Sequence, residues 1–189
     1  MTTISLKCQC GEVRGRASDV THSSGTHIIC CCSDCQAFAD HLERGAETLD
    51  EFGGTEIFQM SQAQLTIQQG QDKLQCLRLR EKGLYRWYTR CCNTPVGNTL
   101  NGKMPFVGVI HTFIDESDKD GVLGPVRAVV QTQDARAVPD YPEHSAKFSV
   151  GITLRIIRKI LLWKLQGKQQ PSVFFDNDGR PVVKPIILN

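Results

Sequence analysis

Nine cysteines distributed as Cys8-x-Cys10, Cys30-Cys31-Cys32-x-x-Cys35 and Cys91-Cys92, with Cys76 alone, constrain this chain more than any other feature. Thiols crowded in this way need something to gather them. Their Cys-x-Cys and Cys-x-x-Cys spacings are those of zinc chelates rather than of a disulfide framework. Burial as small apolar residues is the ordinary account of a free cysteine. It suits Cys76, inside the run Leu74 to Leu79, but not groups flanked by Gly11, Ser33 and Asp34, which mark turns.

A chain of 189 residues can bury one complete core and is short for two full-sized domains, and 40% apolar residues argue against global disorder. The formal net charge of +2 offers nucleic acid or anionic lipid no broad attraction. The opening residues lack a basic start followed by a long apolar run, so a cytoplasmic location with reduced thiols is expected. No transmembrane segment is expected either, because the apolar residues of Leu154 to Leu165 are interrupted by Arg155, Arg158, Lys159 and Lys164. That stretch reads as an amphipathic helix over 150–166, packed on the domain with a basic outer stripe.

The hydrophobic pattern is mainly β. Ile4 to Gly15 alternates and turns at glycine, as a hairpin carrying a metal knuckle would, with Cys8 and Cys10 on one side of a period-two strand. His27 to Cys30 reads as a strand, followed by a short helix capped by Ser33 or Asp34. Strand-like runs over 57–60, 64–67, 74–79, 85–88 and 105–113 indicate antiparallel pairing. The acidic segment 115–121 lacks a calcium-loop ligand pattern and reads as a solvated loop. Residues 134–147 read as a linker, and Asn177-Asp178-Gly179 as a turn within an extended appendage. The expected division is a zinc-binding β domain over 1–133, with linker, amphipathic helix and tail over 134–189.

A Cys-x-Cys strand supplies only two ligands, and Cys91-Cys92 is the best complement to Cys8 and Cys10 in a closed structural site. Cys30, Cys32 and Cys35 provide three thiolates around a second zinc, leaving a fourth position for water or substrate. Two zinc ions per chain are therefore expected. Strand alternation points Cys31 away from Cys30 and Cys32, and His27 lies on that opposite side too. Asp34 reads as a turn cap, and His41 as a solvated helix-end residue. Tyr85, Trp87 and Tyr88 lack the cationic footprint of a nucleic-acid surface and read as packing residues, so no nucleic-acid partner is expected.

These motifs resemble the glutathione-dependent formaldehyde-activating enzyme and centromere protein V family, which has a Mss4-like, zinc-stabilised β fold. Cys8-Gln9-Cys10-Gly11 matches the family's first element, and Cys30-Cys31-Cys32-Ser33-Asp34-Cys35 its Cys-His-Cys-x-x-Cys element, with Cys31 in place of His. In the third element Thr89 stands where the family has a cysteine, and Cys91 is available to take over. The resemblance spans roughly residues 4–115. It implies a carbon–sulfur lyase acting on a thiol–aldehyde adduct such as S-hydroxymethylglutathione, with Cys30, Cys32 and Cys35 at the catalytic zinc and a small thiol such as glutathione as partner. Arg90, nearest of the arginines to a cysteine motif, is the candidate for contacting the thiol's carboxylates. The alternative is a non-enzymatic, zinc-stabilised interaction module that docks through the basic helix, and a homodimer is left open.

Overall fold

The computed structural model describes residues 2–141 and 149–188; the part of the expected linker at 142–147 lies outside the described residues. The fold is mainly β. Strands β1 (Thr2–Lys7), β2 (Arg14–Val20) and β5 (Leu65–Gln69) form a three-stranded antiparallel sheet in the order β1-β2-β5. A larger sheet collects β3 (Thr26–Cys30), β4 (Thr55–Met60), β6 (Leu74–Arg78), β7 (Tyr85–Thr89), β8 (Pro95–Thr99), β9 (Val107–Ile110), β10 (Ala128–Val130) and β11 (Ile186–Ile187). Its order is β10-β3-β4-β9-β8-β7-β6-β11. The pairing is mainly antiparallel, as expected, and β10 runs parallel to β3 and β11 parallel to β6 at the two edges. Both edge strands come from late in the chain and are short, at three and two residues, which leaves little edge open to pairing.

The large sheet is buried on both faces. One face meets the small sheet across a core that includes Leu6, Phe58, Leu65, Trp87, Val96 and Val109. Phe174 and Phe175 from the tail belong to this core, at 0% and 2% exposure, with ring centroids 4.9 and 5.6 Å from Trp87. The tail is thus an integral part of the core as well as an appendage. On the other face Ile28, Ile57 and Ile110 lie directly opposite one another on β3, β4 and β9, and meet Phe38 and Leu42 of the helical segment.

The described residues also form four α-helices, α1 (Ser33–His41), α2 (Gly45–Thr48), α3 (Lys119–Leu123) and α4 (Val150–Leu165), besides four single-turn 3-10 helices. The cap of α1 is Cys32, not Ser33 or Asp34, and the Cys35 amide donates to the Cys32 sulfur at 3.4 Å. The acidic loop contains α3, capped by Asp118, and α3 turns Leu123 into the core. Helix α4 begins at a Ser149 cap and lies against the loop before β3, where Arg155 donates to the Gly25 carbonyl at 3.1 Å and Lys159 to that of Ser23. Its Trp163 is buried. Among the described residues no helix is long and apolar enough to cross a membrane.

Candidate metal centres and cavity

Cys8 and Cys10 sit in the turn after β1 rather than in a strand. Gly11, in the left-handed region at φ +79°, lets the chain reverse, its amide donating to the Cys8 carbonyl at 2.9 Å. Cys91 and Cys92 occupy the corresponding turn between β7 and β8, where Asn93 takes φ +53° and the Thr89 amide donates to the Thr94 carbonyl at 3.0 Å. The two turns bring their sulfurs together. The Sγ separations are 3.5 Å for Cys8–Cys10, 3.8 Å for Cys8–Cys91 and 3.8 Å for Cys91–Cys92. Four sulfurs about 2.3 Å from a central zinc stand about 3.8 Å apart in a tetrahedron, so this donor set and spacing fit zinc.

Thr89 adds a hydroxyl to this arrangement. Its Oγ1 lies 3.4 Å from the Cys92 sulfur and accepts from the Thr94 amide, and the Thr94 hydroxyl is 3.1 Å from the same sulfur. Burial on its own would raise the Cys92 pKa, but these two hydroxyls, together with the backbone and thiol of Cys10, outweigh it and bring the thiol down to about 6. Cys92 is thus prepared as a thiolate, while burial and the neighbouring Cys10 push Cys91 up to about 12.

The second group forms where β3 ends. Cys30 closes the strand, Cys32 caps α1 and Cys35 lies in its first turn, and the three sulfurs lie within 4.8 Å of one another. Hydrogen bonds from Cys30 and then Cys35 pull the Cys32 pKa down to about 2, whereas Cys30 is pushed far up by sharing that proton with Cys32. Zinc binding there would displace the thiol protons. Cys31 is fully buried and belongs to neither group. His27 is also buried, bonded to the Gly124 carbonyl at 2.7 Å and to Glu56 at 2.9 Å. His41 is exposed at the end of α1.

Cys30, Cys32 and Cys35 face an open cavity of about 560 Å³ between the sheet and α4. Its floor includes a row across four adjacent strands. Gln59 on β4 is paired with Gly108 on β9, Gly108 with Asn98 on β8, and Asn98 with Arg86 on β7. Gly108 matters because it presents no side chain; a Cβ there would come within 2.9 Å of Ile57. Arg86, at 2% exposure, donates to Asn98 Oδ1 at 3.3 Å, lies 3.9 Å from the Cys35 sulfur and 3.6 Å from Asp34. Asp34 also binds Arg80. Arg90 lies away from this lining and pairs with Asp72 at 3.4 Å. A smaller polar hollow of about 290 Å³ adjoins Cys8, but Arg44, Lys7 and Lys119 along it already bind Cys92 and His111 carbonyls or Asp115.

Arg86, Asn98 and Gln59 were not distinguishable as one group in the sequence, since their meeting depends on strand register. The only local signal is a cation amid the apolar and aromatic residues of β7.

A model for a family of unknown function, DUF6151, matches residues 1–185 of the chain. No curated protein matches it. Among solved structures, the crystal structure of a Rhodobacter sphaeroides protein is similar at 16% sequence identity and a TM-score of 0.45, over 65% of this chain and 97% of that one.

Proposed function

We propose that this chain, which belongs to the DUF6151 family, is a two-zinc protein that cleaves the carbon–sulfur bond of a thiol–aldehyde adduct. The observation carrying this reading is the convergence of the Cys30, Cys32 and Cys35 sulfurs at the wall of an open cavity, contrasted with the four-sulfur set that completes a tetrahedron by itself. The resemblance of the first two cysteine motifs to the glutathione-dependent formaldehyde-activating and centromere protein V family supports the same chemistry.

Zinc held by three thiolates would supply a position that stabilises a substrate sulfur as its thiolate. In an adduct R–S–CH2–OH the carbon–sulfur bond breaks with its electron pair passing to sulfur, and the carbon–oxygen double bond forms as the hydroxyl loses its proton. Asp34, the carboxylate in the lining, is the acceptor for that proton, which then returns to the departing sulfur, giving thiol and formaldehyde without an oxidant. Arg86 does not meet the reacting atoms in this scheme. It acts as a positioning residue, holding Asp34 and offsetting charge beside Cys35.

The competing reading as a docking module has one observation in its favour, the exposure of Leu154, Leu161 and Leu165 on α4. Against it, Ile156 and Ile160 form part of the cavity wall and Trp163 is buried. The test is metal and thiol analysis followed by turnover. Two zinc ions and nine reduced thiols per chain, with formaldehyde release from hydroxymethyl adducts that Cys32→Ser abolishes, are expected. Undiminished release by Cys32→Ser, or one zinc per chain, would overturn the reading.

A further inference from the structure

The cavity's wall chemistry is unlike that required by a charged peptide thiol. Facing the polar floor row are Leu84, Leu100, Phe106, Ile156 and Ile160, with Ile28 and Ile57 beside the cysteines. The two cations in the lining, Arg80 and Arg86, both bind Asp34. With zinc on the three thiolates, the surplus positive charge of this pair would offset that centre's negative charge, so a ligand carboxylate would meet no uncompensated cation and its desolvation opposes binding. Among the lining residues Gln59 alone has a buried side-chain oxygen with no hydrogen-bond partner in the described residues. Such an acceptor is a natural point of contact for a ligand donor.

We propose, resting on the thiol chemistry inferred above, that the substrate thiol carries an uncharged, largely apolar body seated between α4 and the sheet. The Cys30, Cys32 and Cys35 centre takes its sulfur. Helix α4 then defines specificity: Ile156 and Ile160 stand one helical turn apart and contact the apolar body, while Leu100 and Phe106 close the other side. A cavity of about 560 Å³ accommodates an aromatic ring or short alkyl chain with room for an adduct carbon.

The experiment is calorimetric titration of the zinc-loaded full chain with 2-phenylethanethiol, 2-mercaptoethanol, glutathione and 2-phenylethanol. 2-Phenylethanethiol should bind at least tenfold more tightly than either 2-mercaptoethanol or glutathione. Ile160→Asn should erase that preference while zinc per chain stays unchanged. Glutathione binding as tightly as 2-phenylethanethiol, or an unaltered preference in Ile160→Asn, would overturn the proposal. If 2-phenylethanol matches the thiol and both exceed glutathione, the apolar seat stands and the thiol chemistry fails, which separates the two inferences. Should Ile160→Asn not fold, the wild-type ranking decides by itself.

Discussion

Removing one metal centre should destabilise the protein far more than removing the other, because the two close chain loops of very different length. The four-sulfur group joins Cys8 to Cys91, 83 residues apart. Treating the bound ion as a cross-link, the loop-entropy relation assigns about 4.6 kcal/mol at 25 °C to a loop of that length. Cys30 and Cys35 are five residues apart in the sequence, for which the same relation gives about 2 kcal/mol. The comparison is Cys91→Ser/Cys92→Ser against Cys32→Ser/Cys35→Ser, both in excess zinc. Serine at position 32 retains a capping oxygen for α1, so loss of the helix cap adds little to the second variant. With a urea m-value of about 2 kcal/mol/M, the first pair should lower the unfolding midpoint by about 2 M and the second by about 1 M. Equal midpoints, or a larger loss in the second variant, would refute the assignment of Cys8, Cys10, Cys91 and Cys92 as the long-range structural cross-link.

Two further outcomes follow from the buried charges. Arg86→Met leaves Asp34 with Arg80 alone and removes the donor to Asn98, so thermal unfolding should show a loss of about 1–3 kcal/mol, the cost of leaving the buried Asn98 oxygen without its donor. Zinc transfer from the three-cysteine centre to a chelator should also accelerate, and Arg86→Lys should recover part of both effects. The His27–Glu56 pair predicts stability falling on both sides of neutrality. Its hydrogen bond from His27 lowers the Glu56 pKa against the opposing effect of burial, and that stabilisation is lost as pH falls through the depressed value. Burial lowers the His27 pKa, but Glu56 and the Gly124 carbonyl more than compensate, so its contribution is full below the unfolded value near 6.5 and is lost as pH rises through the raised one. Urea midpoints across pH 3–9 should show the alkaline decline flattened in Glu56→Gln, at a cost of about 1 kcal/mol near neutrality; an unchanged alkaline limb would count against the pair.

The cysteine groups were legible because the spacings that let neighbouring thiols converge are set locally along a chain, independent of the surrounding fold. Only the structure reveals that the Thr89 hydroxyl supports the Cys92 sulfur. Strand β8 escaped recognition because Pro95-Val96-Gly97-Asn98-Thr99 is buried throughout and so lacks the alternation of a half-exposed strand. Strand β10 is three residues long and depends on β3 for its pairing. Phe174 and Phe175 have an apolar character visible in the chain, but their insertion beside Trp87 is a tertiary event.

The polar floor explains how a centre with three anionic ligands could retain an attraction for another sulfur. A zinc dication with three thiolates would carry one negative formal charge, which weakens its hold on a further thiolate. Arg86 and Arg80 bring two positive charges against the single negative charge of Asp34, so the whole assembly is formally neutral. Arg86 is effective because it is buried next to Cys35, where charges are screened less than at the surface. Its position in turn depends on β7–β8 register, and that register begins at the turn carrying Cys91 and Cys92. Loosening the β7–β8 turn by Cys91→Ser/Cys92→Ser is therefore expected to move Arg86 away from Cys35 as well as to weaken the fold, and faster zinc transfer from the three-cysteine centre to a chelator would register it.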